Sequence, residues 1–278
     1  KVTQAIMLIT SLFYLAYIIS AVKAKPDWEM ALSNIVWPHG VDFTPEYMRN
    51  YLLIGMGVLG TTITPWGQFF ISSFAYDKNI EAGKIIYSQL ETYVGAFLTD
   101  FFSFFMIVAT AATLFVNKIP LISGEEAAMA IKPFAGELAG TLFALGILNA
   151  GFMGLIVVSL STAYAFAEFF GLQGSLDSNY KQSKSFYLIF IMQLLIATII
   201  VMFPGISLFK LAILTQTINA IALPLVFYYL IKLASDKGLM GKYANTGFQK
   251  WFTILGSVAI FAASCLTLLA IFFPNFGK

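Results

Sequence analysis

Gly60-Thr61-Thr62-Ile63-Thr64-Pro65-Trp66-Gly67-Gln68 lies in the middle of an apolar run from Met48 to Tyr76. A helical run of that length can cross a bilayer, which takes roughly 20 residues. Pro65 has no backbone N–H, and its ring would clash with the carbonyl of Thr61, four residues back. Gly60 and Gly67 loosen the backbone on either side. Three threonines put hydroxyls where a lipid-facing helix would carry Leu or Ile. The helix is expected to break here and to leave the carbonyls of Thr61 to Thr64 without intrahelical partners. In hydrocarbon such groups must be met by protein, water or an ion. A transported cation is one such partner. A proline-kinked helix, its carbonyls met by hydroxyls and water, is the commoner outcome for a stretch of this kind taken alone.

Composition supports a membrane setting. The chain is 59% hydrophobic and 11% charged, where soluble domains carry about 25% charged residues. Its mean hydropathy is +0.83. The expected class is an all-α, polytopic helical membrane protein, residues 1–278 forming a single transmembrane domain. Cys265 is the one cysteine and lies in an apolar run, so neither an internal disulfide nor a cysteine metal cluster is available. The one histidine, His39, sits in the loop Trp37-Pro38-His39-Gly40 and reads as solvated. No P-loop, no HExxH and no nucleophile–base set is present, so enzymatic activity is not expected. No basic patch interleaved with aromatics points to nucleic acid. The chain starts at Lys1, its first apolar run begins at once, and no signal peptide with a cleavage site is visible. Such a start implies further residues upstream.

Seven membrane segments can be read from the hydropathy. They cover about residues 2–22, 48–76 (the broken one), 85–116, 138–170, 186–202, 208–233 and 251–273. Trp28 and Trp37, in the first loop, are candidate headgroup anchors. The connectors 77–84, 171–184 and 232–250 share one side. The positive-inside rule mildly favours that side as cytoplasmic.

Ionisable residues at bilayer depth are functional candidates by default. Asp100 is the best of them, mid-segment, with Ser103 three residues on and on the same helix face. It could bind a cation, carry a proton, or hydrogen-bond a neighbouring helix. Glu91 and Glu168, nearer helix ends, read as interfacial. In Thr215-Gln216-Thr217-Ile218-Asn219 the two amides are three apart and face one way. Amide oxygens are hard-cation ligands, and amides are also interhelical glue, the commoner role without context. Ala150 and Gly154 form a small-xxx-small pair that predicts close helix packing.

Three stretches resemble the Nramp family of divalent metal transporters (natural resistance-associated macrophage proteins). GTTITPWGQFFISS, Gly60 to Ser73, is similar to the family's broken sixth helix, whose usual form is G-A-T-V-M-P-H. Leu142 to Gly171 resembles its eighth helix. TQTINAIALPLVFYYLIKLASDKGLMGKYAN, Thr215 to Asn245, resembles its tenth helix and the loop beyond. The resemblance implies a LeuT-type inverted-repeat fold of eleven helices, of which this chain would hold helices five to eleven. Helices one to four, with the first helix's Asp-Pro-Gly metal-binding break, would lie outside it and be needed for a complete site. It further implies a cell-membrane transporter whose partners are a divalent metal ion and the lipid bilayer. No cofactor is expected beyond the transported cation.

Carried over by position, the Thr61 carbonyl corresponds to a metal-binding carbonyl of the family. Gln216 corresponds to a tenth-helix glutamine that approaches the ion, and Ser103 to a seventh-helix asparagine. Two positions depart. Thr64 stands where the family has a metal-binding methionine. A thioether is soft and favours manganese and iron over magnesium, whereas a hydroxyl is hard. Trp66 stands where the family has a histidine tied to proton movement, and tryptophan does not titrate. Both departures resemble the magnesium-transporting branch. The expected metal set is therefore Thr61, Thr64, Gln216, Asp100 and Ser103, with Gly60, Pro65, Trp66 and Gly67 making the break. The expected cargo is Mg²⁺ or Mn²⁺, moved by alternating access. An amino-acid or amine transporter on the same fold, and a non-transporting membrane scaffold, are the alternatives.

Overall fold

The computed structural model describes residues 14–35, 38–39, 42–119, 123–176 and 178–272. The described residues build an all-α protein whose helices follow chain order. They are α1 (Leu15–Lys23), α2 (Trp28–Ser33), α3 (Pro45–Thr62), α4 (Pro65–Asp77), α5 (Ile85–Thr110), α6 (Gly124–Ala135), α7 (Glu137–Phe169), α8 (Lys184–Met202), α9 (Leu208–Ala234), α10 (Lys237–Met240) and α11 (Gly247–Phe272). The last turn of α5 widens into a π turn over Ala111–Phe115. Five of these elements are long and apolar enough to span a bilayer: Ile85–Phe115, Glu137–Phe169, Lys184–Met202, Leu208–Ala234 and Gly247–Leu269. The chain is a multi-pass membrane protein.

These helices match the hydropathy segments to within a few residues, because an unbroken apolar run of about 20 residues has few other ways to satisfy its backbone in lipid. Residues 2–13 of the first segment lie outside the described residues, as does Trp37. Trp28 is 38% exposed and packs edge-on against Phe105, with ring centroids 6.2 Å apart. Local chemistry sets several helix starts. Thr44 caps α3 by accepting from the N–H of Tyr47 at 3.2 Å, with Pro45 in the first turn. Ser123 caps α6 by accepting from Glu126 N at 3.1 Å, a Ser-x-x-Glu start.

The chain divides into two compact units. In the first, residues 1–41 and 73–207, α1 packs on α5 and α7, while α6 and α8 each pack on α7. Its core gathers Tyr17, Leu114, Ala128, Ile131, Ala139 and Phe143, with Tyr17 edge-on to Phe143 at 5.4 Å. The close approaches expected at Ala150 and Gly154 occur elsewhere on α7. A Cβ on Gly154 would meet nothing within 4 Å, whereas one on Gly140 would lie 2.3 Å from Lys132 Cγ and one on Gly146 2.6 Å from Tyr17 Oη. In the second unit, residues 42–72 and 208–278, α3, α9 and α11 pack on one another around Met56, Ala220, Leu223 and Ile260. The unit boundary, between Ser72 and Ser73, falls inside α4.

Candidate functional site

The break falls at Ile63 and Thr64. Ile63 donates the last bond of α3, to Leu59 O at 2.9 Å, then leaves the helical region with φ −116° and ψ 83°. Pro65 opens α4. Its missing N–H leaves the Thr61 carbonyl without the partner a continuous helix would supply. The Thr61 and Thr62 hydroxyls turn back onto Val58 O, at 2.7 and 3.0 Å. The Thr61 hydroxyl proton is thus committed to Val58 O, and what the break itself adds at Thr61 is the carbonyl that Pro65 leaves without a helical donor. Thr64 leans over the first turn of α4: a Cβ on Gly67 would lie 2.6 Å from Thr64 Oγ1. Glycine at 67 is what leaves room for that hydroxyl. Trp66, second in α4, is half-buried.

The two helix ends differ in polarity. The C-terminal end of α3 presents carbonyl oxygens and partial negative charge, while the N-terminal end of α4 presents N–H groups and partial positive charge. A cation is therefore favoured on the α3 side, at the Thr61 to Ile63 carbonyls, with the Thr64 hydroxyl oxygen as a flanking donor. All of these donors are hard and neutral.

One residue before Thr61, α3 touches α9. A Cβ on Gly60 would lie 1.9 Å from the Gln216 carbonyl oxygen and 3.0 Å from Ala220 N. Glycine is required for the approach, and it brings the break against the turn of α9 that bears both amides. Thr217 reinforces the contact: its hydroxyl donates to Ile213 O at 2.8 Å and reaches Leu53 O of α3 at 3.4 Å. Asn219 Nδ2 donates to Gln216 Oε1 at 2.9 Å. The two amides do face one way, and Gln216 Oε1 keeps a second lone pair.

Asp100 and Ser103 belong to the other unit. Asp100 is exposed at the end of a stretch of α5, residues 91–100, that is exposed throughout. Ser103 is half-buried and lines a cavity of about 560 Å³ with Tyr14, Tyr17, Thr99, Phe102 and Met106. The candidate residues thus sort into Thr61, Thr64 and Gln216 in one unit and Asp100 and Ser103 in the other. Among the described residues, no three His, Cys, Asp or Glu side chains gather to hold a metal.

Sequence reasoning missed a polar cluster at the far end of α4. Asp77, its last residue, accepts from Tyr164 Oη of α7 at 2.7 Å and from Ser175 Oγ. Leu176 N donates to Tyr164 Oη at 3.2 Å. Burial alone would raise the Asp77 carboxyl pKa. The hydrogen bonds from Ser175 and Tyr164, the Leu176 N–H and the nearby Lys78 ammonium outweigh it and hold the pKa below its ordinary value. The one signal in the sequence was an aspartate just after an apolar run, at a helix end where negative charge is unfavourable. A second missed contact explains Gln193, which donates from α8 to Ser159 O of α7 at 2.6 Å.

The Nramp family profile, described as natural resistance-associated macrophage protein-like, matches residues 1–270. Among curated proteins, the chain is 23% identical over 262 residues to the divalent metal cation transporter MntH of Caldanaerobacter subterraneus subsp. tengcongensis, covering 92% of this chain and 58% of that protein. It is 22% identical over 272 residues to the protein of the same name from Clostridium acetobutylicum, covering 95% and 58%. The Yersinia enterocolitica protein of that name is 23% identical over 251 residues, covering 88% and 56%. The chain therefore spans a little under three fifths of the length of these relatives.

Proposed function

The chain belongs to the Nramp family, and on that premise we propose that it forms part of a membrane transporter of divalent metal cations, not of an enzyme. The observation that carries the proposal is the break at Ile63–Thr64, seated by Gly60 against Gln216. It combines unpaired carbonyl capacity, a hydroxyl and an amide oxygen within one unit. The relatives' shared name, divalent metal cation transporter, supports the same reading.

The cargo we propose is a hard divalent cation, Mg²⁺ or Mn²⁺. The Thr61 carbonyl, the Thr64 hydroxyl and the Gln216 amide oxygen are its donors from the second unit. Mg²⁺ dehydrates reluctantly and usually keeps several waters, so a set of spaced neutral oxygens suits it better than a tight cage would. Asp100 and Ser103, expected from the sequence to join them, lie in the first unit. Alternating access, in which one bundle rocks against the rest around an ion near the midplane, is the transport mode of broken-helix folds of this kind. Trp66 leaves no titratable group at its position, so any proton coupling would run through other residues.

Calorimetric titration of the purified protein with Mg²⁺ and Mn²⁺, repeated on Thr64→Met, tests the proposal. The expected result is binding of both ions by the parent. The variant should then prefer Mn²⁺ by on the order of tenfold more, about 1.4 kcal/mol, because a thioether is the softer ligand. Binding of neither ion by folded protein, or displacement by amines instead of metals, would overturn it.

A further inference from the structure

Helices α9 and α11 both span the bilayer, so the short connector between them, residues 235–246, lies at one membrane face. Its backbone is held at several points. Asn245 N donates to Ala234 O at 2.9 Å, tying the approach to α11 to the end of α9. Asp236 caps α10 by accepting from Gly238 N at 2.7 Å and from Leu239 N at 3.3 Å. Thr246 and Gln249 cap the start of α11 reciprocally: Thr246 N donates to Gln249 Oε1 at 2.9 Å, and Gln249 N to Thr246 Oγ1 at 3.3 Å.

What this backbone presents is basic and apolar together. Lys232 in the last turn of α9, Lys237 and Lys242 in the connector, and Lys250 in the first turn of α11 are all exposed. Asp236 is the one acid between residues 232 and 250, and its Oδ1 is committed to the α10 cap. Leu239 is 67% exposed, Phe248 79% and Trp251 67%. The Lys242 ammonium lies over the Tyr243 ring, 5.1 Å from its centroid. Water suits the lysines and not the apolar groups. A headgroup layer suits both: aromatic rings settle at that level, while lysine stems lie along apolar surface and their ammonium groups reach phosphate.

We propose that the α9–α11 connector is a binding site for anionic phospholipid, with Lys237 and Lys242 facing the lipid phosphate and Lys232 and Lys250 extending the positive field. Basic clusters beside a membrane span attract anionic lipid in this way. Because the hydrogen bonds fix the loop beforehand, binding costs little in backbone ordering. A zwitterionic headgroup carries its own ammonium beside the phosphate, which competes with the lysines, so the site discriminates by headgroup charge. A soluble polyanion would meet the lysines but leave Leu239, Phe248 and Trp251 in water.

Native mass spectrometry of the intact chain, titrated in detergent with phosphatidylglycerol or phosphatidylcholine, tests the proposal without using transport. The parent is expected to bind phosphatidylglycerol about fivefold more tightly or better. The double variant Lys237→Gln, Lys242→Gln should lose that preference with its phosphatidylcholine binding and thermal midpoint unchanged. A charge-matched control, Lys181→Gln with Lys184→Gln in the first unit, should keep it. Equal binding of both lipids by the parent would overturn the site. So would a preference that survives Lys237→Gln with Lys242→Gln, or one lost equally in the control, since the attraction would then lie elsewhere or be diffuse. Displacement of phosphatidylglycerol by glycerol phosphate at comparable concentration would overturn the lipid assignment, because the headgroup alone would then suffice. Failure of metal binding in calorimetry would strike the transport reading and leave this result standing.

Discussion

Gly60 carries more of the site's geometry than any ligand does. The α9 carbonyl of Gln216 occupies the space its Cβ would need, so Gly60→Ala must push α3 and α9 apart. We expect a loss of about 1–3 kcal/mol, the usual range for overpacking, read from thermal unfolding in detergent. Gly55 on the same helix has nothing within 4 Å of a built Cβ. Gly55→Ala is expected to be neutral or to gain up to about 1 kcal/mol through helix propensity. Asp77 makes a second residue-level prediction. Its folded pKa is depressed, so its contribution is present above the ordinary carboxylate value, about 3.9, and is lost as pH falls through the lower folded value. Between pH 6 and 3, the thermal midpoint of the parent should therefore fall more steeply than that of Asp77→Asn.

Two prolines in transmembrane helices have opposite outcomes. Pro65 ends one helix and opens the next, while Pro224 lies inside α9, which continues through it. The difference lies in what meets the freed carbonyl. Pro224 removes the donor to Ala220 O, and Ser264 Oγ of α11 lies 3.5 Å from that oxygen while donating to Ile260 O at 2.8 Å. The carbonyl left by Pro65 is that of Thr61, where the helix ends instead of continuing. Ser264→Ala should cost roughly 0.6 kcal/mol, the average for such interhelical bonds. The cost should shrink in a Pro224→Ala background, where the helix supplies its own donor. A double-mutant cycle on unfolding midpoints measures that coupling.

The proposed oxygen donors of the second unit bring no charge with them. Thr61, Thr64 and Gln216 are neutral, and the nominated carboxylate, Asp100, belongs to the other unit. A divalent ion on neutral oxygens alone is poorly compensated. The chain also spans 58% of two of its relatives. We therefore expect the 278-residue chain by itself to carry no metal flux in proteoliposomes, and a longer form matching the relatives' length to carry it. Robust flux through the shorter chain would refute this account of the site.

The all-α class, the span positions and the helix break were legible in the residues, because each follows from local rules. Apolar runs of about 20 residues must close their own hydrogen bonds in lipid, and Pro65 removes a donor whatever surrounds it. The pairing of Gln216 with Asn219 was legible too, since a three-residue offset fixes a helix face. Tertiary structure decided the rest. The close approaches at Gly60, Gly140 and Gly146, in place of Gly154, depend on which helix lies alongside. The partners of Asp77 stand 87 and 98 positions away in the chain. The sorting of the candidate ligands between two units arises the same way, as helix periodicity sets the face of a residue while packing alone chooses what that face meets.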